Sequence, residues 1–289
     1  MTIHHISRRR RLTAASAATA LLFTLAACAQ DGGDGQETAK PSYPTHVHAL
    51  ALKPGTTDVL IASHEGIYEV SGSELHPTGA NIDLMGFTVD GDGVYLASGH
   101  PGPGVDLPDP VGLISSADGE DWTRESLAGK SDFHALTVAS GGIIGFDGTL
   151  RLSADGRSWT DAPAQFTPHS LAGSPSGPLV LATTEDGPLV SNDSGLTWSP
   201  LPDAPVIMLA AVTESRLVGV LPDGGIRIST DSGQSWDPAG SVLGYPAAVA
   251  AAETENGLQI WVMTDAGLEH SADGGQTFSI PVEQPAAAP

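Results

Sequence analysis

The chain has 289 residues with 12 basic and 34 acidic side chains, so its formal net charge is −22 when histidine is neutral. A surface this acidic repels nucleic acid and anionic lipid headgroups, and the charge therefore excludes both as expected partners. The length is sufficient for one sizeable hydrophobic core, and we expect the folded part to be a monomer.

The first 27 residues predict a lipoprotein signal peptide. Four arginines at 8–11 precede an apolar stretch at 12–27, which is short for a membrane span. The stretch ends in Leu25-Ala26-Ala27-Cys28, which resembles a lipobox. The resemblance implies that the preceding peptide is removed and that Cys28 carries the lipid, which anchors the mature protein at the extracytoplasmic face of the cell membrane. Loss of the four arginines takes the net charge from −22 to −26.

A plain secretory signal with an incidental cysteine is the alternative. Cys28 is the only cysteine of the chain, so the exported domain has no internal disulfide. Residues 28–44 are rich in Gly, Asp, Gln and Pro and predict a flexible spacer, and residues 283–289 predict a similar tail. The folded domain is therefore expected at residues 45–282.

One short unit recurs along this domain. Its copies occupy residues 116–122, 153–159, 191–198, 229–236 and 271–278. The aromatic residues that close them are 37, 39, 38 and 42 positions apart, which is the period of a four-stranded propeller blade. Because Ser and Asp side chains accept backbone N–H bonds and Gly adopts positive φ, each unit predicts a turn between a third and a fourth strand.

The unit resembles the Asp-box, or BNR, repeat of sialidases, sortilin-type receptors and many other propellers. A glycine before each predicted third strand extends the register to a sixth, degenerate copy at the N-terminal end. The fold expected from these features is all-β, a β-propeller of about six blades with Asp-box hairpins, preceded by the signal peptide. The pattern does not show which terminus closes the ring. The six glycines are Gly66, Gly112, Gly148, Gly187, Gly225 and Gly267.

Histidines recur at equivalent positions of the predicted blades. Antiparallel strands place the start of each first strand and the end of each second strand at one rim of the disc, opposite the Asp-box turns. Six histidines and two methionines fall at these ends, and the insertion at 99–111 predicts an ordered lid beside them. First-strand positions are held by His46, His48, Met85, His134, His169 and Met208, and second strands end at His64 and His100.

This clustering predicts a metal site at one mouth of the channel. Imidazole suits copper, zinc, iron and nickel, while thioether ligands favour copper, above all Cu(I). We expect copper or zinc as the metal, with a small ligand as the alternative occupant. The competing interpretation makes each histidine a hydrogen-bonded core residue and each methionine a gap-filler. The predicted ligands are His46, His48, His64, His100, His134 and Met85, with His169 and Met208 as secondary candidates.

Segments such as Ser-His-Glu-Gly and Asp-Phe-His-Ala-Leu also resemble a group of exported Asp-box propellers commonly described as glycosyl hydrolases or exo-sialidases. That resemblance implies three arginines around a substrate carboxylate, a tyrosine nucleophile and an acidic proton donor. The five arginines of the mature chain lie in repeat turns, beside them or mid-blade, so a typical sialidase is not expected and no catalytic residue is predicted. They are Arg124, Arg151, Arg157, Arg216 and Arg227.

Three alternatives stay open from the sequence. The first is a glycosidase that uses two carboxylates, since the chain has 34 acidic residues. The second is a hydrolytic centre formed by His134 and Asp132, although no nucleophile motif accompanies them. The third is a propeller that binds a glycan or a protein in assembly or adhesion and needs no channel chemistry.

Overall fold

A computed structural model describes residues 40–164 and 166–285. The signal peptide and lipidated Cys28 predicted above lie outside these residues and stay predictions, as do the domain limits. The described part is built of 24 β-strands that begin at Val47 and end at Glu283. It contains no helix long and apolar enough to pass through a bilayer.

The strands form six four-stranded antiparallel sheets, each made of consecutive strands. This arrangement confirms the predicted six-bladed β-propeller. Blade 1 contains β1 (Val47–Leu52), β2 (Val59–Ser63), β3 (Gly66–Ser71) and β4 (Glu74–Thr78); blade 2 contains β5 (Ile82–Val89), β6 (Tyr95–Pro101), β7 (Leu113–Ser116) and β8 (Thr123–Ser126). Blade 3 contains β9 (Ala135–Ala139), β10 (Gly142–Phe146), β11 (Leu150–Ser153) and β12 (Thr160–Asp161); blade 4 contains β13 (Ser170–Gly173), β14 (Val180–Thr183), β15 (Leu189–Ser191) and β16 (Ser199–Pro200). Blade 5 contains β17 (Leu209–Val212), β18 (Leu217–Val220), β19 (Gly225–Ser229) and β20 (Asp237–Ser241); blade 6 contains β21 (Pro246–Thr254), β22 (Gly257–Thr264), β23 (Gly267–Ser271) and β24 (Ser279–Glu283).

The first strands of all six blades line a central channel of about 920 Å³. Neighbouring blades pack through buried aliphatic and aromatic side chains, which form the six hydrophobic clusters of the core. One of these clusters joins Leu50 and Tyr68 of blade 1 to Trp261 and Leu268 of blade 6. The ring therefore closes by side-chain packing between the first and last blades, because each sheet takes all four of its strands from one continuous stretch.

The segment just before β1 reinforces that closure. Tyr43 packs on the cluster shared by blades 1 and 6, and the buried Tyr68 hydroxyl donates a 3.0 Å hydrogen bond to the Pro41 carbonyl. Lys40 is half-buried, and this burial lowers its pKa to about 8 despite nearby glutamates. The last residues of the predicted spacer thus lie against the propeller.

In all five repeat turns the Ser hydroxyl bonds to the Asp carboxylate and accepts the Gly N–H, and the Asp carboxylate accepts backbone N–H groups; three turns add a hydroxyl donor to the carboxylate. In the fourth blade, the Ser191 hydroxyl donates to Asp193 and accepts from the Gly195 N–H, both at 2.8 Å. Asp193 in turn accepts from the Thr197 hydroxyl and N–H at 2.6 and 2.8 Å. Hydrogen bonds inside the turns lower the pKa of all five carboxylates, which are therefore occupied structurally. These carboxylates belong to Asp118, Asp155, Asp193, Asp231 and Asp273.

Candidate metal centre at the histidine rim

Blade 1 brings three histidines together at the rim opposite the repeat turns. His46 and His48 stand at the start of β1, and His64 follows the end of β2. The His64 N–H donates to the His46 carbonyl at 3.2 Å, which fixes the two strand ends side by side. The ring of His48 is stacked on that of His46 at 5.0 Å, and the His64 ring lies edge-on, 5.1 Å from His46 and 4.8 Å from His48.

Asp83 on β5 completes this group from blade 2. Its Oδ2 lies 2.9 Å from His64 Nδ1, and its Oδ1 lies 3.3 Å from His48 Nε2. Ligand atoms of His48, His64 and Asp83 all lie within 4.8 Å of one another. We call His46, His48, His64 and Asp83 the blade 1 cluster.

The contact between His48 and Asp83 is close but does not form a hydrogen bond. His48 Nε2 and Asp83 Oδ1 are both buried atoms without a hydrogen-bond partner among the described residues. Since an unsatisfied buried polar atom is costly, two of them facing each other at 3.3 Å mark a place where a cation fits. Ligand atoms around a tetrahedral zinc, with bonds of about 2.0–2.1 Å, are separated by roughly 3.4 Å.

The environment of His48 favours the neutral imidazole. Burial lowers its pKa, and the neighbouring His64 and His46 act in the same direction, whereas the Asp83 carboxylate opposes them. A neutral ring is the form that coordinates metals, so a lowered pKa reduces the competition from protons at neutral pH.

A second group of histidines and carboxylates lies on blades 2 and 3. His100, near the end of β6, places Nδ1 2.6 Å from Asp109 Oδ1 and Nε2 3.1 Å from Asp132 Oδ2. His134, just before β9, places its Nε2 2.7 Å from that same Asp132 oxygen. The hydrogen bond to Asp109 is the largest cause of the raised pKa of His100, and Asp132 contributes further. We call these four residues the blade 3 cluster.

The two clusters are neighbours because blade 2 contributes to both. Asp83 on β5 is the cross-strand partner of His100 on β6. Gly99, at φ +145°, allows this pairing, since a Cβ there would lie 1.8 Å from the Asp83 carbonyl oxygen. Gly86 similarly lets β5 approach the loop before β9, where a Cβ would meet the Phe133 carbonyl oxygen at 2.3 Å. Close backbone contact at two glycines therefore draws the rims of blades 1 to 3 together.

The other predicted ligands are placed differently. Met85 and His169 line the channel together with His48 and His134, and His169 is not part of the group whose ligand atoms lie within mutual reach among the described residues. The sulfur of Met208, just before β17 of blade 5, accepts a 3.5 Å hydrogen bond from the Tyr245 hydroxyl, just before β21 of blade 6. The five predicted histidine ligands thus divide into two clusters, and Met208 lies apart from both.

Two carboxylates were missed by the sequence reasoning. Asp83 is a charged residue in the otherwise apolar start of β5, where buried and half-buried positions alternate. A charge at such a position is the signal that could have identified it. Asp109 lies in the insertion predicted as a lid, where Val105 and Leu107 pack against the core beside blade 2. That packing holds the loop, and hence Asp109, next to His100.

The same rim carries an apolar surface on blades 5 and 6. Leu243, Tyr245 and Val206 are 78%, 62% and 67% exposed in the loops that lead into β21 and β17. Glu269, which is fully buried, accepts the backbone N–H groups of Leu243 and Gly244 at 2.9 and 3.0 Å. A buried carboxylate thus fixes a loop that presents large apolar side chains to solvent.

Fold and rim together define a six-bladed β-propeller with two clusters of histidine and aspartate at one channel mouth. Neither a family model nor a curated protein matches the chain. Among solved structures, it is similar to a protein described as "YCF48 bound to D1 peptide", with 18% identity, a TM-score of 0.51 and 81% of each chain covered. At this identity the likeness shows the propeller fold.

Proposed function

We propose that the protein is a membrane-anchored, extracytoplasmic propeller that binds a divalent transition metal, copper or zinc, through the blade 1 cluster. The observation that carries the proposal is the convergence of His48, His64 and Asp83, with two buried ligand atoms that have no hydrogen-bond partner among the described residues. A neutral imidazole nitrogen and a carboxylate oxygen repel each other unless a proton or a metal ion lies between them. His46, whose ring is stacked on that of His48, offers a further imidazole beside this group.

The ligand types support a divalent ion. Two imidazoles and a carboxylate suit Cu(II) and Zn(II), and Cu(II) binds such nitrogen and oxygen sites most tightly in the divalent series. The His64 side chain is 44% exposed, so an ion can enter from solvent. Capture or exchange of metal at the cell surface suits such an open site.

Calorimetric titration of the purified lipoprotein in detergent with Cu(II) and Zn(II) tests this function. His48→Ala removes the buried ligand, and we expect an affinity loss of about 100-fold or more, above the range for outer-sphere partners. His76→Ala is the matched control, because His76 is an exposed imidazole on the outer strand β4 of the same blade. Equal affinity of wild type and His48→Ala would refute the assignment, as would an equal loss in both variants.

The arginines do not support the sialidase alternative. Arg151 is paired with Asp147 and Asp161, and Arg216 with Glu253. Within the described residues, no arginine lines the central channel, where a clamp for a substrate carboxylate would be needed. A glycan-binding role would depend on other groups.

Protein binding is a second candidate function, and the exposed Leu243 and Tyr245 favour it. A loop whose backbone is already fixed loses little backbone entropy on binding, and aromatic residues often dominate interface energies. The similar structure was solved with a bound peptide. The test compares proteins that co-purify from native membranes with wild type and with a Leu243→Ser, Tyr245→Ser variant. A partner retained equally by both would count against this surface.

A further inference from the structure

The blade 3 cluster has the arrangement of a histidine ligand backed by a carboxylate. His100 Nδ1 lies 2.6 Å from Asp109. In metal sites, a ligating histidine commonly donates its other ring N–H to a carboxylate, which fixes the tautomer and leaves the remaining nitrogen free to coordinate. Because Asp109 holds the Nδ1 proton, Nε2 is the nitrogen of His100 that can coordinate an ion, and it lies 3.1 Å from Asp132 Oδ2.

One carboxylate oxygen of Asp132 contacts two imidazole nitrogens. Its Oδ2 lies 3.1 Å from His100 Nε2 and 2.7 Å from His134 Nε2. Its Oδ1 is buried and has no hydrogen-bond partner among the described residues. The Asp132 side chain is 18% exposed, so its negative charge is poorly solvated. A cation at this point would stabilise the carboxylate and take the place of the protons between Asp132 and the two ring nitrogens.

We propose that His100, His134 and Asp132 form a second divalent metal site, so that one chain binds two ions at the same rim. Asp109 acts there as a positioning residue for His100. The site shares no ligand with the blade 1 cluster, so a substitution that abolishes metal binding at one site leaves the ligands of the other in place. It requires no redox or covalent step, because the ion replaces protons of the ring nitrogens and releases them to solvent.

The geometry predicts that the second site is the weaker one. Across residues 40–164 and 166–285, only His48, His64 and Asp83 have all three ligand atoms within 4.8 Å of one another. His134 must therefore turn towards His100 when the ion binds, and its side chain is 60% exposed and free to do so. Repulsion from an ion already bound at the adjacent blade 1 cluster weakens the second step further.

The experiment measures stoichiometry on the purified lipoprotein in detergent. Zn(II) is added in excess, loose metal is removed on a desalting column, and retained zinc is measured by elemental analysis, with calorimetry for the stepwise affinities. We expect two equivalents in wild type and one in Asp132→Asn. Asp83→Asn, which alters only the blade 1 cluster, is expected to keep one equivalent. The double variant is expected to retain none.

Two further variants keep the test independent of folding. His134→Gln changes an exposed side chain and is also expected to retain one equivalent with an unchanged apoprotein melting temperature. Asp109→Asn should weaken only the second calorimetric step, by about 10- to 100-fold, because it disturbs an outer-sphere partner.

The outcomes separate the two proposals. A single equivalent in wild type that persists in Asp132→Asn and disappears in Asp83→Asn would overturn the second site and leave the proposed function intact. The reverse pattern would support the second site and count against the first. Two equivalents retained in both Asp132→Asn and His134→Gln would also refute the second site.

Discussion

Replacement of Asp83 by asparagine separates metal coordination from simple hydrogen bonding at the rim. The side chain keeps its size and one oxygen but loses the negative charge that faces His48 and His64 at 3.3 and 2.9 Å. An amide can still hydrogen-bond to one imidazole, so the apoprotein is expected to stay folded. A metal ion, in contrast, loses its only anionic ligand in the blade 1 cluster.

The size of the effect follows from the role of the residue. Loss of an outer-sphere partner typically reduces metal affinity 10- to 100-fold, so loss of a direct ligand is expected to cost about 100-fold or more. A factor of 100 corresponds to about 2.7 kcal/mol. With metal in excess, the same free energy disappears from the stabilisation that binding confers. At about 2–4 °C per kcal/mol for a domain of this size, the metal-induced rise in melting temperature falls by roughly 5–11 °C.

The assay is thermal unfolding with and without excess Zn(II), followed by circular dichroism. Asp92→Asn is the matched control, because it removes the same charge from an exposed turn at the other end of the β5–β6 hairpin. The control is expected to keep the full metal-induced shift. A shift in Asp83→Asn equal to that of wild type would refute the role of this carboxylate as a ligand.

Four further outcomes are expected. Glu269→Gln should lower the free energy of unfolding by about 1–3 kcal/mol in urea, since the amide places an N–H against backbone donors at a fully buried position; an unchanged midpoint would contradict the anchoring role. The Thr277 hydroxyl and other turn donors hold the pKa of Asp273 at about 2 in the folded protein. The stability that Asp273 contributes is therefore complete above the unfolded pKa and is lost as pH falls through the folded pKa, so acid unfolding should be shallower for Asp273→Asn than for wild type. NMR titration of His100 in the apoprotein should show a pKa above the ordinary value, and its stabilising contribution, complete below the unfolded pKa, is lost as pH rises through the folded one; Asp109→Asn should bring the midpoint down. Cys28→Ser should release the protein from the membrane fraction, and unchanged sedimentation with membranes would disprove the lipid anchor.

The repeat turns explain why the fold was predictable from the sequence. Each turn is closed by hydrogen bonds that span at most four residues, as between Asp193 and Thr197, so its signature is local and recurs with the period of a blade. The six glycines before the third strands gave the blade number, and the structure confirms six. Ring closure was not predictable, because it depends on packing between Tyr68 and Trp261, which belong to opposite ends of the chain.

The rim was predictable only in part. Alternation along β1 and antiparallel strand order were sufficient to direct His46, His48 and His64 to the same mouth, because both rules act within one blade. The carboxylate that faces them, Asp83, comes from blade 2, and its position depends on close backbone contacts at Gly86 and Gly99.

The amino-acid sequence by itself therefore determined the strand order, the number of blades and the rim on which the histidines lie, since these follow from short-range hydrogen bonding and strand periodicity. Tertiary structure alone decided that Asp83 joins blade 1, that Asp132 joins His100 to His134, and that Met208 stays apart. Contacts between blades bring together residues whose separation along the chain carries no periodic signal, and only the packed ring sets their distances.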